Sequence, residues 1–231
     1  MRDTVRPALL ALAQHWKAFV LIQCCLIGYV IGFYRYESFA AAGQVLADWK
    51  IRYGWWFVGI LAGVASGVLP EIAKALTAGR GSYKRPRLRE ILFRFVYFGS
   101  MGVLVDRFYH LQGVMFGQGK DPATLLLKLV VDQVLFSAAF SIPLAVTVFA
   151  WQDLGFNFKA LRAELGWEFI RDRILPVLVP GWCFWIPAVL CVYAMPGDMQ
   201  TMLYLFLAAA WAVLFLFIVQ DERGTKPYGG Q

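Results

Sequence analysis

The chain has 231 residues, 60% of them hydrophobic and only 16% charged, with a formal net charge of +7. Soluble globular domains average about 45–50% apolar and about 25% charged residues, so the composition argues against a water-soluble domain and towards a bilayer. The positive charge reads as basic loops facing anionic lipid. A nucleic-acid surface would need a fold context and interleaved stacking residues that are absent.

Six apolar runs follow in chain order, near 18–34, 54–76, 90–112, 123–150, 174–195 and 199–220. Each approaches the about 20 residues that span a bilayer as a helix. The predicted fold is all-α: an integral membrane helical bundle of about six transmembrane helices in a single membrane domain over 1–231. Residues 1–53 form an N-terminal extension with one helix, 54–220 the main bundle and 221–231 a polar tail. The first run is read as a retained helix. Arg35 and Glu37 separate it from the small residues "SFAAAG", where a signal peptide would be cut.

In the second run Gly59, Gly63 and Gly67 share one helical face, which predicts close backbone packing; Val58 is expected to face lipid. Gly28 and Gly32 in the first run, and Gly99 and Gly102 in the third, repeat the theme. The third run ends in Asp106 and Arg107, beside Phe108, Tyr109 and His110.

The fourth run is the least ordinary. Thr124, Lys128 and Asp132 recur at four-residue spacing, as do Gln133, Ser137 and Ser141, so two polar rows climb adjoining flanks of one helix. Facing acyl chains they would be unsatisfied, so this seam points into the bundle or towards water. Asp132 is expected to be ionised, held by Lys128 or by Arg107, with Asp106 near Lys128. Pro143 invites a local bend. Two readings of the seam stand: hydrogen bonds that only fix packing, and a solvated passage. In the fifth run Pro180-Gly181 is the expected break among Pro176, Pro180, Pro187 and Pro196, and "MPGDMQ" forms a tight turn into the sixth run.

Cys24, Cys25, Cys183 and Cys191 lie in apolar runs, and His15 and His110 are isolated. Without metal-ligand spacing, a nucleophile pair or a glycine-rich phosphate loop, no catalytic residue, cofactor or metal site is assigned, and the chain is not read as an enzyme. Sorted by loop, the 22 Lys and Arg divide roughly 16 to 6, which places both termini in the cytoplasm or its equivalent. Lys50 and Lys120 fall on the opposite side. The densest basic loop, "GRGSYKRPRLREILFR", anchors this topology. Its Lys84, Arg85, Arg87 and Arg89 are candidate contacts for anionic lipid headgroups.

Taken in order, these segments resemble the Mpv-seventeen / peroxisomal membrane protein twenty-two family over roughly residues 55–217. "KLVVDQ" resembles the family's lysine followed by Asp-Gln, at Lys128, Asp132 and Gln133. Gly102, Tyr109 and Leu111 match its glycine–proline segment, and Trp182, Trp185, Pro196 and Trp211 its late tryptophan–proline segment. Val103, Asp106, Phe108 and Ala138 depart from the pattern, and "GVLPEIAKA" stands where the family has an early Gly-Asp…Gln motif. The resemblance implies a pore-forming or solute-permeating protein. It further implies a bacterial inner membrane, or the mitochondrial inner or peroxisomal membrane of a eukaryote. The reading at this level is a channel or facilitator for small polar solutes or ions. Lys128, Asp132, Gln133, Ser137 and Ser141 line it, with Asp106 and Arg107 near one mouth. The alternative is a non-catalytic scaffold stabilising a membrane complex. Expected partners are the lipid bilayer, anionic lipids and other copies of the chain, with no nucleic acid.

Overall fold

The computed structural model describes the backbone of residues 13, 16–77 and 86–224, and side chains as far as Leu214. Among these residues the chain is helical, with no strand. Five helices are long and apolar enough to cross a membrane: α1 (Trp16–Arg35), α2 (Glu37–Leu76), α4 (Pro122–Asp153), α6 (Trp167–Ala194) and, over Gly197–Leu214, α7 (Gly197–Gly224). The third apolar run forms α3 (Leu88–Phe116), which has 29 residues but is more polar. It carries Arg89, Glu90, Arg94, Asp106 and Arg107. A short helix, α5 (Phe158–Glu164), links α4 to α6.

α2 corrects the expected boundary at residue 54. The segment 37–53 is not a loop; it is helical and runs into the second apolar run through Gly54, whose φ of 61° and ψ of −145° kink the rod. Only glycine adopts that conformation without steric cost. Ala40, Gly43, Leu46, Ala47 and Lys50 of this segment are the less exposed positions and lie three to four residues apart along one helical face. A Cβ at Gly43 would lie 2.9 Å from the Tyr29 hydroxyl and against the Met199 methyl, so the segment sits closely on α1 and α7.

Beyond the kink, the glycine face packs as its spacing predicts. A Cβ on Gly63 would stand 2.8 Å from the Phe95 carbonyl oxygen, and one on Gly99 2.9 Å from that of Gly59. Gly67 meets the Phe95 backbone at 3.0 Å, and Gly102 abuts Ala62. Such contact lets dispersion act between backbones, which matters because lipid tails offer no hydrophobic drive for helix association. Gly28, by contrast, faces open space. Val58, expected to face lipid, is fully buried with Ala62, Met202 and Leu205, since the close α2–α3 contact also presses α2 on α7.

The main core gathers around α6. Phe184, Ala188, Val192 and Tyr193 pack with Val105 and Tyr109 of α3, Leu129 of α4, Met199 and Leu203 of α7, and Phe19 and Leu26 of α1. α6 runs unbroken through Pro180 and Pro187, so Pro180-Gly181 is not the expected break. Pro187 leaves the Cys183 carbonyl without its helical donor, and Gln23 of α1 donates to the adjacent Phe184 carbonyl at 3.0 Å. The turn at Met195–Gly197 is tight, closed by Met199 N–H donating to the Pro196 carbonyl at 2.9 Å.

Candidate functional site

α4 starts cleanly. Asp121 caps it by accepting from Thr124 N–H at 3.0 Å, and Pro122 follows in the first turn, where its missing N–H costs nothing. The Thr124 hydrogen bonds hold the exposed Asp121 carboxyl below its ordinary range. From Val131 to Ser141 the helix then widens into π geometry, ending just before Pro143, which has no N–H to continue the ladder. Bonds to the fifth residue bring Asp132 and Ser137 nearer to one line. The two polar rows merge into one face, and Asp132, Gln133 and Ser137 are all buried there.

Asp132 is held by neutral donors. Tyr193 O–H donates to one carboxylate oxygen at 2.7 Å and Gln133 Nε2 to the other at 2.8 Å. Gln112 Nε2 in turn donates to the Tyr193 oxygen at 2.5 Å. The expected cations are elsewhere. Arg107 points outwards on the exposed side of α3. Lys128 is buried but makes no ion pair among the described residues; its Nζ stands 5.7 Å from the Tyr193 ring centroid. Four-residue spacing brought Lys128 beside Asp132 in sequence terms, but Tyr193, reaching in from α6, occupies the place of the cation. Asp106 also has a different partner: Lys50 Nζ lies 2.5 Å from its Oδ1, and the Thr201 hydroxyl donates to the same oxygen at 2.6 Å. Lys50 comes from the helical segment that the sequence reading treated as a loop.

A cavity of about 730 Å³ leads to this centre. Its mouth carries Glu71, Lys74, Arg94, Asp153, Asp172 and Arg173. Inside, Ser141, Ser137, Gln133 and Asp132 line it along α4, and its deepest positions are Tyr109, Asp132, Val189 and Tyr204. From Asp153 to Asp132 the helix rises on the order of 30 Å, close to the thickness of a bilayer core. One turn further on, each of these four helices carries a polar residue that does not line the cavity: Gln112, Lys128, Tyr193 and Thr201. With Lys50 and Asp106 they form a polar layer closing the far end.

Four of the seven residues named for the seam therefore reach the cavity, two (Lys128 and Asp106) sit in or beside the closing layer, and Arg107 does neither. Of the basic-loop residues, Lys84 and Arg85 lie outside the described residues. Arg87 and Arg89 are exposed at the start of α3, where the Glu90 side chain accepts from Arg87 N–H at 3.3 Å. Sequence reasoning missed Glu71, a buried carboxylate between Lys74, at 2.7 Å, and Arg94. It also missed Tyr193 and Gln112. A lone tyrosine in an apolar helix signals a hydroxyl that needs a partner, and that clue was available. No protein-family model matches the chain, and neither curated proteins nor solved structures give a match.

Proposed function

We propose that this membrane protein is a facilitator for small polar solutes or ions, built as a vestibule open at one end and closed at the other. One observation carries the reading: the cavity runs from a charged mouth to a buried carboxylate, Asp132, and stops at a polar layer. A solute entering the mouth meets Ser141, Ser137 and Gln133 before Asp132, so polar contacts accompany it through the apolar depth of the bundle. Release at the far side requires the layer of Gln112, Lys128, Tyr193 and Thr201 to part. Tyr193 is suited to couple the two events, because its hydroxyl belongs to that layer and binds Asp132 directly. The resemblance through Lys128, Asp132 and Gln133 implies the same class. Lys74, Arg94 and Arg173 at the mouth support reading it as the cytoplasmic or equivalent side.

The scaffold reading draws on a specific observation too: at the closed end Lys50, Asp106 and Thr201 satisfy one another, as a purely structural seam would. Solute flux into proteoliposomes separates the two. The facilitator reading expects flux from wild type and its loss in Asp132→Asn with the fold retained. A protein that conducts nothing, and whose Asp132→Asn and Lys128→Met variants change only stability, would be a scaffold.

A further inference from the structure

The carboxylates along the cavity are treated in two ways. At the mouth, Glu71 is matched by Lys74 and Arg94, Asp172 by Arg171 through two hydrogen bonds of 2.7 Å, and Asp153 is exposed. At the blind end, Asp132 is 5% exposed, and its partners among the described residues are a phenol and an amide. An ionised carboxylate accepts about four hydrogen bonds, so about two positions are open on a group that lines the cavity. Gln133 also lines the cavity, and its Oε1 is buried without a hydrogen-bond partner. Two adjacent side chains on the cavity wall thus hold unused acceptor capacity, with no ion-pair partner among the described residues. Around them the wall is aromatic: Tyr109, Phe136, Trp185 and Tyr204. Aromatic faces attract cations, and more strongly where water is excluded.

We propose that the blind end binds a protonated primary amine. Its ammonium lies between Asp132 and Gln133 Oε1, and its carbon skeleton lies among Tyr109, Trp185 and Tyr204. The proposal rests on the vestibule reading and names the class of solute. An anion is repelled by Asp132, and a neutral polyol leaves the carboxylate charge unmatched. A quaternary ammonium answers the charge but has no N–H for Gln133. A metal ion needs more ligands than one carboxylate, and no group of three His, Cys, Asp or Glu side chains occurs among the described residues.

The test is isothermal titration of the purified full chain in detergent with four probes of similar size: butylammonium, tetramethylammonium, butanol and butyrate. Butylammonium is expected to bind and tetramethylammonium to bind about a hundredfold more weakly, because it keeps the charge but has no N–H for either Asp132 or Gln133. Butanol and butyrate should give no binding heat. Asp132→Asn should abolish butylammonium binding, and Gln133→Leu, which keeps the charge, should weaken it about tenfold. Butanol binding as tightly as butylammonium to wild type, or unchanged binding in Gln133→Leu, overturns the proposal even where Asp132→Asn does not fold. Butylammonium that binds but never crosses a proteoliposome membrane supports the site and refutes the passage. Flux of another solute without butylammonium binding refutes the site and leaves the passage standing.

Discussion

Asp106 and Asp132 are both buried carboxylates in a bundle that reads as membrane-embedded, and the protein treats them oppositely. Asp106 is neutralised on the spot by Lys50 and tied further by Thr201, and it does not line the cavity. Asp132 receives two neutral donors, has no ion-pair partner among the described residues, and lines the cavity. A charge near the centre of a spanning helix costs about 2.5–3.5 kcal/mol on insertion scales, so it is kept where something compensates it. At Asp106 the compensation is internal, which marks a structural role. At Asp132 no ion pair among the described residues supplies it, and the proposed amine site would use that open charge.

The comparison breaks first at Lys50. Lys50→Met strands Asp106 and is expected to cost about 3 kcal/mol in unfolding, read as a lowered melting temperature in detergent. The double variant Lys50→Met/Asp106→Asn should recover most of it, since no uncompensated charge is left. An additive double variant would show that the pair is not coupled.

A second, smaller loss tests whether the frame holding both aspartates depends on the α2–α3 contact. Gly63→Leu drives a side chain into the Phe95 backbone and should cost about 1–3 kcal/mol. Leucine at the neighbouring exposed Val64 should change melting little. Equal shifts at the two positions would remove the tight glycine face from the account.

Asp132→Asn sharpens the contrast. Asparagine keeps the size and an acceptor for Tyr193, so stability should move by less than about 1 kcal/mol while solute flux is lost. A large destabilisation with flux intact would make Asp132 a second Asp106.

The smallest effect belongs to the entrance of α4. The Asp121 cap has a lowered folded-state pKa, so its contribution is full above the ordinary carboxylate value of 3.8 and disappears as the pH falls through the lowered value. Asp121→Ala should therefore lower the melting temperature slightly at neutral pH and make no difference in strong acid.

Much of this architecture is legible in the residues. The apolar runs mark the long helices, the four-residue glycine spacing marks the face that meets α3, and the polar rows on α4 mark the side that looks inward. What periodicity conceals is partnership between distant segments. Lys50 and Asp106 are 56 positions apart and Asp132 and Tyr193 are 61 apart, so no local spacing announces either pair. The segment 37–53 falls between two apolar runs because its charged residues interrupt the hydrophobic signal, although Ala40, Gly43, Ala47 and Lys50 trace a helical face. The π geometry of 131–141 is likewise set by tertiary packing and by Pro143, and an ordinary helical period places Asp132 and Ser137 on different flanks.

The central claim is that Asp132 stands at the blind end of a cavity entered from the side of Lys74 and Arg94. Cysteines placed singly at Ser141, Ser137 and Gln112, on a background lacking the native four, test it with a small, impermeant, positively charged thiosulfonate reagent applied to each face of oriented vesicles. The account predicts modification at Ser141→Cys and Ser137→Cys from the basic-loop side only, and none at Gln112→Cys from either side. Silence at both serine positions in folded protein, or modification of Ser137→Cys from the opposite face, would contradict it.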